Sequence, residues 1–145
     1  MDADLIIQRL KDRVPDLGAR VFGAAEFANL TTSGKLPQTT PAAHVITSGI
    51  AGGKHHPQLG SYIQTVDRLY SVILTLRSQD ASGARALPKI DGLIADIIAA
   101  LAGWDIDGRH GVFILRRAEL LRTTEGMFVY QISFSITDQL RIIPS

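Results

Sequence analysis

The segment Met127–Asp138 constrains the fold most. Phe128, Tyr130, Ile132, Phe134 and Ile136 alternate with Gln131, Ser133, Ser135 and Thr137. Successive side chains of a strand point to opposite sides, so this period of two builds one apolar face and one polar face. Five large apolar side chains need a cover, and the rest of the chain has to supply it. Asp80–Gly103 offers one, because Leu87, Ile90, Ile94, Ile97, Ile98 and Leu101 recur at helical spacing as a single stripe. Pro88 and Gly92 are poor mid-helix residues, so Pro88 marks either a kink or the start of the regular part. Gly103 is the expected stop.

The remaining elements follow from punctuation and period. Asp2 or Asp4 caps a first helix that runs to about Arg13 and ends before Pro15. Gly18–Phe22 is a short strand. Ala24–Leu30 is a short helix with Phe27 and Leu30 on one face, broken at Ser33–Gly34. Pro37 and Pro41 make an extended connection into a strand at Ala43–Thr47. Gly49–Gly60 holds four glycines and a proline, which predicts a long irregular loop. Ser61–Arg77 is dense in Tyr, Ile, Val and Thr and reads as one long strand bent near Asp67–Arg68. The strands on either side of the loop form an extended hairpin with a mobile tip. Val112–Leu121 and the turn Arg122–Gly126 lead into the final strand. The order α-β-α-β-β-α-β-β predicts an α+β fold. Its sheet is mostly antiparallel, of four to five strands, with the helices packed on one face, in a single domain over residues 1–145.

With 145 residues the chain can bury about 68% of its unfolded surface and needs no staple. It has no cysteine, which removes disulfides, Cys-ligated zinc, iron–sulfur clusters and thiol catalysis. Fifteen Lys and Arg against fourteen Asp and Glu lack the basic excess of a sequence-independent nucleic-acid binder. No run is long and apolar enough for a membrane span, and the acidic start Met1-Asp2-Ala3-Asp4 is unlike a signal peptide. Production or assembly in a reducing cytoplasm is expected. Hydrophobic residues reach 46%, high for a small monomer, and self-association is one way to cover such surface.

No catalytic, cofactor-binding or metal-binding set emerges. The four histidines are His44, His55, His56 and His110, and the adjacent pair lacks the i, i+4 spacing of a helical metal site. Asp105-Ile106-Asp107-Gly108 resembles a piece of a calcium loop, but its glycine comes too early and position 114 is Ile. Gly52-Gly53-Lys54 fails the phosphate-loop pattern at Ser48 and at His55. Ser48 and Ser61 border the glycine-rich segment without a Gly-x-Ser-x-Gly elbow. A hydrolase would need one of them beside a histidine and a carboxylate. Arg116, Arg117, Arg122 and Arg109 form the densest basic cluster. In a regular strand Arg116 and Arg117 point to opposite faces and do not make one stripe. Trp104 follows an amphipathic helix and is expected in a core or subunit interface.

Nearly the whole chain resembles the tail terminator proteins of long-tailed bacteriophages. The resemblance rests on order and spacing. The N-terminal helix ends at Leu10–Leu17 and is followed by Val21–Ala28. Then come Leu36-Pro37, the strand Ala42–Ile46, a glycine-rich segment, the long strand Tyr62–Arg77, and Gly83–Leu87 opening the helix that ends at Leu101–Trp104. The ending is two-stranded, with Arg116-Arg117 and Tyr130-Gln131. The resemblance implies a structural virion protein, not an enzyme, without cofactor or metal. It implies a ring, commonly of six copies, that caps the head-proximal end of the tail tube, stops polymerisation and presents the joining surface for the head connector. Its partners would be itself, the tube protein and a head-completion protein, with DNA passing through the lumen without sequence-specific binding and no membrane involved. Lys54, His55, His56, Leu59 and Tyr62 are candidates for an assembly loop. Arg116, Arg117 and Gln131 are candidates for the lumen or a subunit interface. The competing readings are another neck or completion protein, a small hydrolase, and a ligand-binding domain with a deep apolar pocket under the long helix.

Overall fold

The structure is a computed structural model and describes residues 2–35, 37–78, 86–106, 108, 111–124 and 126–143. The predicted helical stretch Asp80–Arg85 and the residues Asp107, Arg109, His110 and Glu125 lie outside the described residues. Among the described residues three helices, α1 (Asp2–Arg13), α2 (Ala24–Ser33) and α3 (Ala86–Leu101), accompany five strands. The strands are β1 (Val21–Phe22), β2 (Ala42–Gln58), β3 (Ser61–Arg77), β4 (Ile114–Thr124) and β5 (Met127–Ile142). They form one sheet in the order β1-β2-β3-β5-β4. Only β1 and β2 run parallel, and α2 makes the crossover that a parallel pair requires. The other pairings are antiparallel.

Local chemistry explains most boundaries. α1 carries Asp2 and Asp4 in its first turn and Lys11 and Arg13 in its last, matching the helix dipole at both ends. α2 starts where Glu26 Oε2 accepts from the Gly23 N–H at 3.1 Å. It stops at Gly34, whose left-handed φ of 70° lets its N–H turn back to the helix carbonyls. Pro88 lies in the first turn of α3, where its missing N–H costs nothing.

The apolar face of β5 behaves as its period predicts. Ile132, Phe134 and Ile136 sit in one core with Val72, Leu74 and Leu76 of β3 and with Ala43 and Val45 of β2. Ile6 and Leu10 of α1 and Ile90, Leu93, Ile97 and Leu101 of α3 close it. Past α3, Trp104 stacks on the buried Phe113 with ring centroids 5.6 Å apart, and the Arg9 guanidinium lies 4.6 Å over the indole. Arg9 also donates to the Ala100 carbonyl at 2.6 Å, tying α1 to the end of α3.

Two expectations need correction. Helices do not cover one face alone. Ala43 and Val45 point into the α1/α3 core, whereas His44 between them meets Phe27 of α2 at 5.5 Å. α2 therefore lies on the opposite face, where Phe27 and Leu30 find apolar surface at His44 and Ile73. Nor is Gly49–Gly60 an irregular loop. β2 continues to Gln58, and the turn is Leu59-Gly60 alone, with Gly60 at φ 80°. Register shifts between Thr47 and Gly49 and between Gly52 and His55 absorb the extra residues as bulges. Gly53 marks one of them, since a Cβ there would lie 2.9 Å from the Thr65 carbonyl oxygen. These glycines permit close strand approach and do not end the strand. The result is a hairpin arm, widened to three strands by the pairing of Tyr62–Val66 with Asp138–Ile142. From Leu69 to Ser61 the arm spans roughly 25 Å at the ordinary rise of a strand.

Candidate functional site

The polar side of the sheet is a connected surface. The hydroxyls of Ser48 and Ser71 share a hydrogen bond of 2.6 Å. Gln131 Nε2 donates to Ser71 Oγ at 2.9 Å and to Ser133 Oγ at 3.3 Å. A second cluster continues along the strands. Arg116 Nε donates to Ser135 Oγ at 2.6 Å and faces an Asp67 oxygen at 3.7 Å, and Thr137 donates to the other Asp67 oxygen at 2.9 Å. Four strands are linked through these side chains. The hydroxyls are occupied by one another: the Ser48 side chain bonds to Ser71, not to a histidine–carboxylate pair.

Arg116 and Arg117 share this face, contrary to the expectation for a regular strand. A bulge between Leu115 and Arg117 sets two residues of β4 against one of β5. Arg117 then pairs in register with Ser133 and bonds Glu119 at 3.1 Å, while Arg116 leans onto Ser135. Gln131 is central to the same face. The lumen-or-interface candidates thus come together.

The arm candidates divide. His55 stacks on Tyr62 at 4.8 Å, and Tyr62 donates to Gln64 at 2.7 Å, all on the side that carries α1 and α3. His56 is on the other side, 3.4 Å from the Thr65 hydroxyl. Lys54 is exposed, and Leu59 stands fully exposed at the turn. Ile50, Leu140, Ile142 and Ile143 add further exposed apolar surface to the arm and the end of β5.

Two features went unmarked in the sequence. At the root of the arm, Tyr70 donates to Asp2 at 2.9 Å and Arg68 to Asp138 at 2.9 Å, fastening the start of α1 to β3 and β5. Burial, reinforced by the bond to Asp2, pushes the Tyr70 phenol up to about 12. The other feature is His44, which is only 2% exposed and lies between Phe22 and Phe27. Its Nδ1 has no hydrogen-bond partner. Burial lowers its pKa, against a weaker upward pull from Glu26. The only available signal was its place in a strand with apolar neighbours on both sides, in Ala42-Ala43-His44-Val45-Ile46.

Among the described residues no three His, Cys, Asp or Glu side chains gather to hold a metal ion, and no helix is long and apolar enough to cross a membrane. Among the described residues a cavity lies under α2, lined by Phe27, Leu30, His44 and Ile73.

The family model for the phage tail terminator protein matches residues 1–144. The chain belongs to the phage tail terminator family. It is therefore a structural protein of a phage tail and not an enzyme, and its place is in the virion. Among solved structures it is similar to a chain from the virion of a native gene transfer agent particle. That match has a TM-score of 0.54 and 18% identity, over 93% of this chain and 92% of the other, and it supports the fold. No curated protein matches the chain in sequence.

Proposed function

We propose that this tail terminator assembles as a ring, commonly of six copies, on the head-proximal end of the tail tube. There it stops tube polymerisation and presents the surface that the head connector joins. Assembly takes place in the host cytoplasm, and residues 1–145 of each copy form a single folded domain. The observation that carries the reading is the arm. Three strands run past the helix layer, with Ile50, Leu140 and Ile142 exposed on them and Leu59 exposed at their turn, apolar surface of the kind that assembly contacts cover. In a ring these side chains are covered by a neighbouring copy or by the tube, with Lys54, His55, His56, Leu59 and Tyr62 in that contact. The polar face with Arg116, Arg117 and Gln131 lines the lumen or a subunit boundary. Its network of serines, Gln131 and arginines paired with Asp67 and Glu119 suits a wall past which DNA slides, since it offers hydrogen bonds and little net charge without a base-reading element.

Negative-stain electron microscopy of the purified protein, alone and with its tube protein, tests this. Rings with a central hole that cap one end of short tubes are expected. Monomers that leave tube growth and tube ends unchanged would overturn the reading in favour of a neck-completion role.

A further inference from the structure

The cleft between α2 and the polar sheet face is used neither by the core nor by the assembly reading. It encloses about 260 Å³. Phe27 and Leu30 of α2 and Ile73 of β3 give it apolar walls, Lys35 and Arg122 stand at its rim, and His44 lines it. None of its described lining residues is a carboxylate. α2 itself has no buried residue, so the cleft is roofed by a helix with apolar contact area to spare.

We propose that this cleft docks an acidic segment of a partner protein, one that presents an apolar side chain next to a carboxylate. The walls take the apolar side chain by burial. The two exposed rim cations draw a carboxylate to the mouth of the cleft. His44 supplies the third element. Its Nδ1 is buried and unpaired, an arrangement that native proteins rarely keep without a use. The proposal places the ring proton on Nδ1, from which it donates to the incoming carboxylate. His44 also lines the adjoining cavity, together with Leu30, Pro37, Arg20 and Glu26, and Glu26 acts on the imidazole from there.

A partner fits better than a second copy. Most exposed apolar side chains of this chain stand close in sequence to positive charge: Leu59 to Lys54, Ile143 to Arg141, and Leu121 to Arg122. Leu5, next to Asp4, and Leu120, next to Glu119, are exceptions. The inference goes beyond the ring reading and does not rest on it.

The test follows the His44 ring nitrogens by NMR in the full chain labelled at histidine. The probe is 4-phenylbutyrate, with 4-phenylbutanol and 4-phenylbutylamine as matched controls. The carboxylate is expected to shift the Nδ1 resonance saturably at millimolar concentration and to raise the pH midpoint of this imidazole, and the amine to do neither. Lys35→Ala and Arg122→Ala, both at exposed positions, each weaken the carboxylate by about two- to fivefold and leave the thermal unfolding unchanged. Equal responses to the acid and the alcohol would reduce the cleft to an apolar void and overturn the proposal. A His44 shift that depends on protein concentration without any probe would assign the cleft to a second copy, which also overturns it. Electron microscopy of rings reads none of these signals, so the two readings fail separately.

Discussion

The two faces of the sheet are closed by different physics. On one, α1 and α3 seal a dense apolar layer in which Ile6, Leu10, Ile97, Leu101, Ile132 and Phe134 are at most 1% exposed. On the other, serines, Gln131, Thr137 and arginines satisfy one another, and α2 covers a corner without burying any of its own residues. The first face sets stability. The second gives up packing to keep a surface open, and it holds the one buried polar side-chain atom without a partner among the described residues.

The largest expected effect tests that contrast directly. Phe134→Ala removes a side chain that is 1% exposed and should cost about 3–5 kcal/mol, through lost burial and the cavity left behind. Phe27→Ala, on the half-buried inner side of α2, should cost about 1–2 kcal/mol. Urea unfolding of both variants checks this. Equal losses would make α2 an integral part of the core and end the distinction between the faces.

Two glycines sharpen the comparison between body and arm. Gly53→Ala sets a methyl group 2.9 Å from the Thr65 carbonyl, a backbone atom that cannot step aside, and should cost about 1–3 kcal/mol. Gly92, on the exposed side of α3, would place an added Cβ in open space with nothing within 4 Å, so Gly92→Ala should stabilise by about 0.4–1 kcal/mol. Thermal unfolding separates the two, and hydrogen exchange should show the Gly53→Ala loss concentrated at residues 50–66. Two changes of the same sign would undo the bulge account of the arm.

The same bulges explain what could be read in advance. The long strand Ser61–Arg77 was legible from its density of β-branched and aromatic residues, and the two-faced strand from Met127 from its period of two, both strong local signals over many residues. The outer half of β2 was not, because Gly49, Gly52, Gly53 and Pro57 carry turn propensity. What overrides it is the long partner strand, a tertiary fact. Arg116 and Arg117 fall together for a related reason: one bulge changes which face a residue occupies, and nothing in Leu115-Arg116-Arg117 announces it. The position of α2 was hidden because Phe27 and Leu30 look alike whichever face they cover. The family resemblance was spread over the whole chain, whereas the cleft at His44 exists only after β2, β3, β5 and α2 have met.

Acid is the next lever, and through His44 it reaches the second face. Burial holds His44 below the usual histidine value in the folded chain, so near pH 6.5 the unfolded chain takes up a proton that the folded chain resists. The stability from the neutral buried ring is complete above pH 6.5 and declines as the pH falls below it. His44→Phe removes this contribution along with the unpaired nitrogen. Urea midpoints between pH 7.5 and 5 should therefore fall more steeply for the wild type than for the variant. His55, His56 and His110 are common to both and cancel in the difference. Parallel slopes would mean that His44 accepts its proton without strain and that the cleft is already wet.

The smallest effect is expected where the polar face is most open. The Arg117 side chain is 72% exposed, and its bond to Glu119 at 3.1 Å joins two residues of one strand. Water screens such a pair, and fixing two long side chains costs entropy, so a double-mutant cycle with Arg117→Ala and Glu119→Ala should give a coupling of about 0.2–1 kcal/mol. Arg116 touches both Ser135, which is fully buried, and Asp67 across the sheet, so Arg116→Ala should cost more than Arg117→Ala in the same urea assay. That order follows from burial alone and holds in the isolated chain. If Arg117→Ala were the costlier of the two there, the network on the polar face would be anchored at its outer edge and not through the buried Ser135, and its openness would be a property of the pairing rather than of the missing cover.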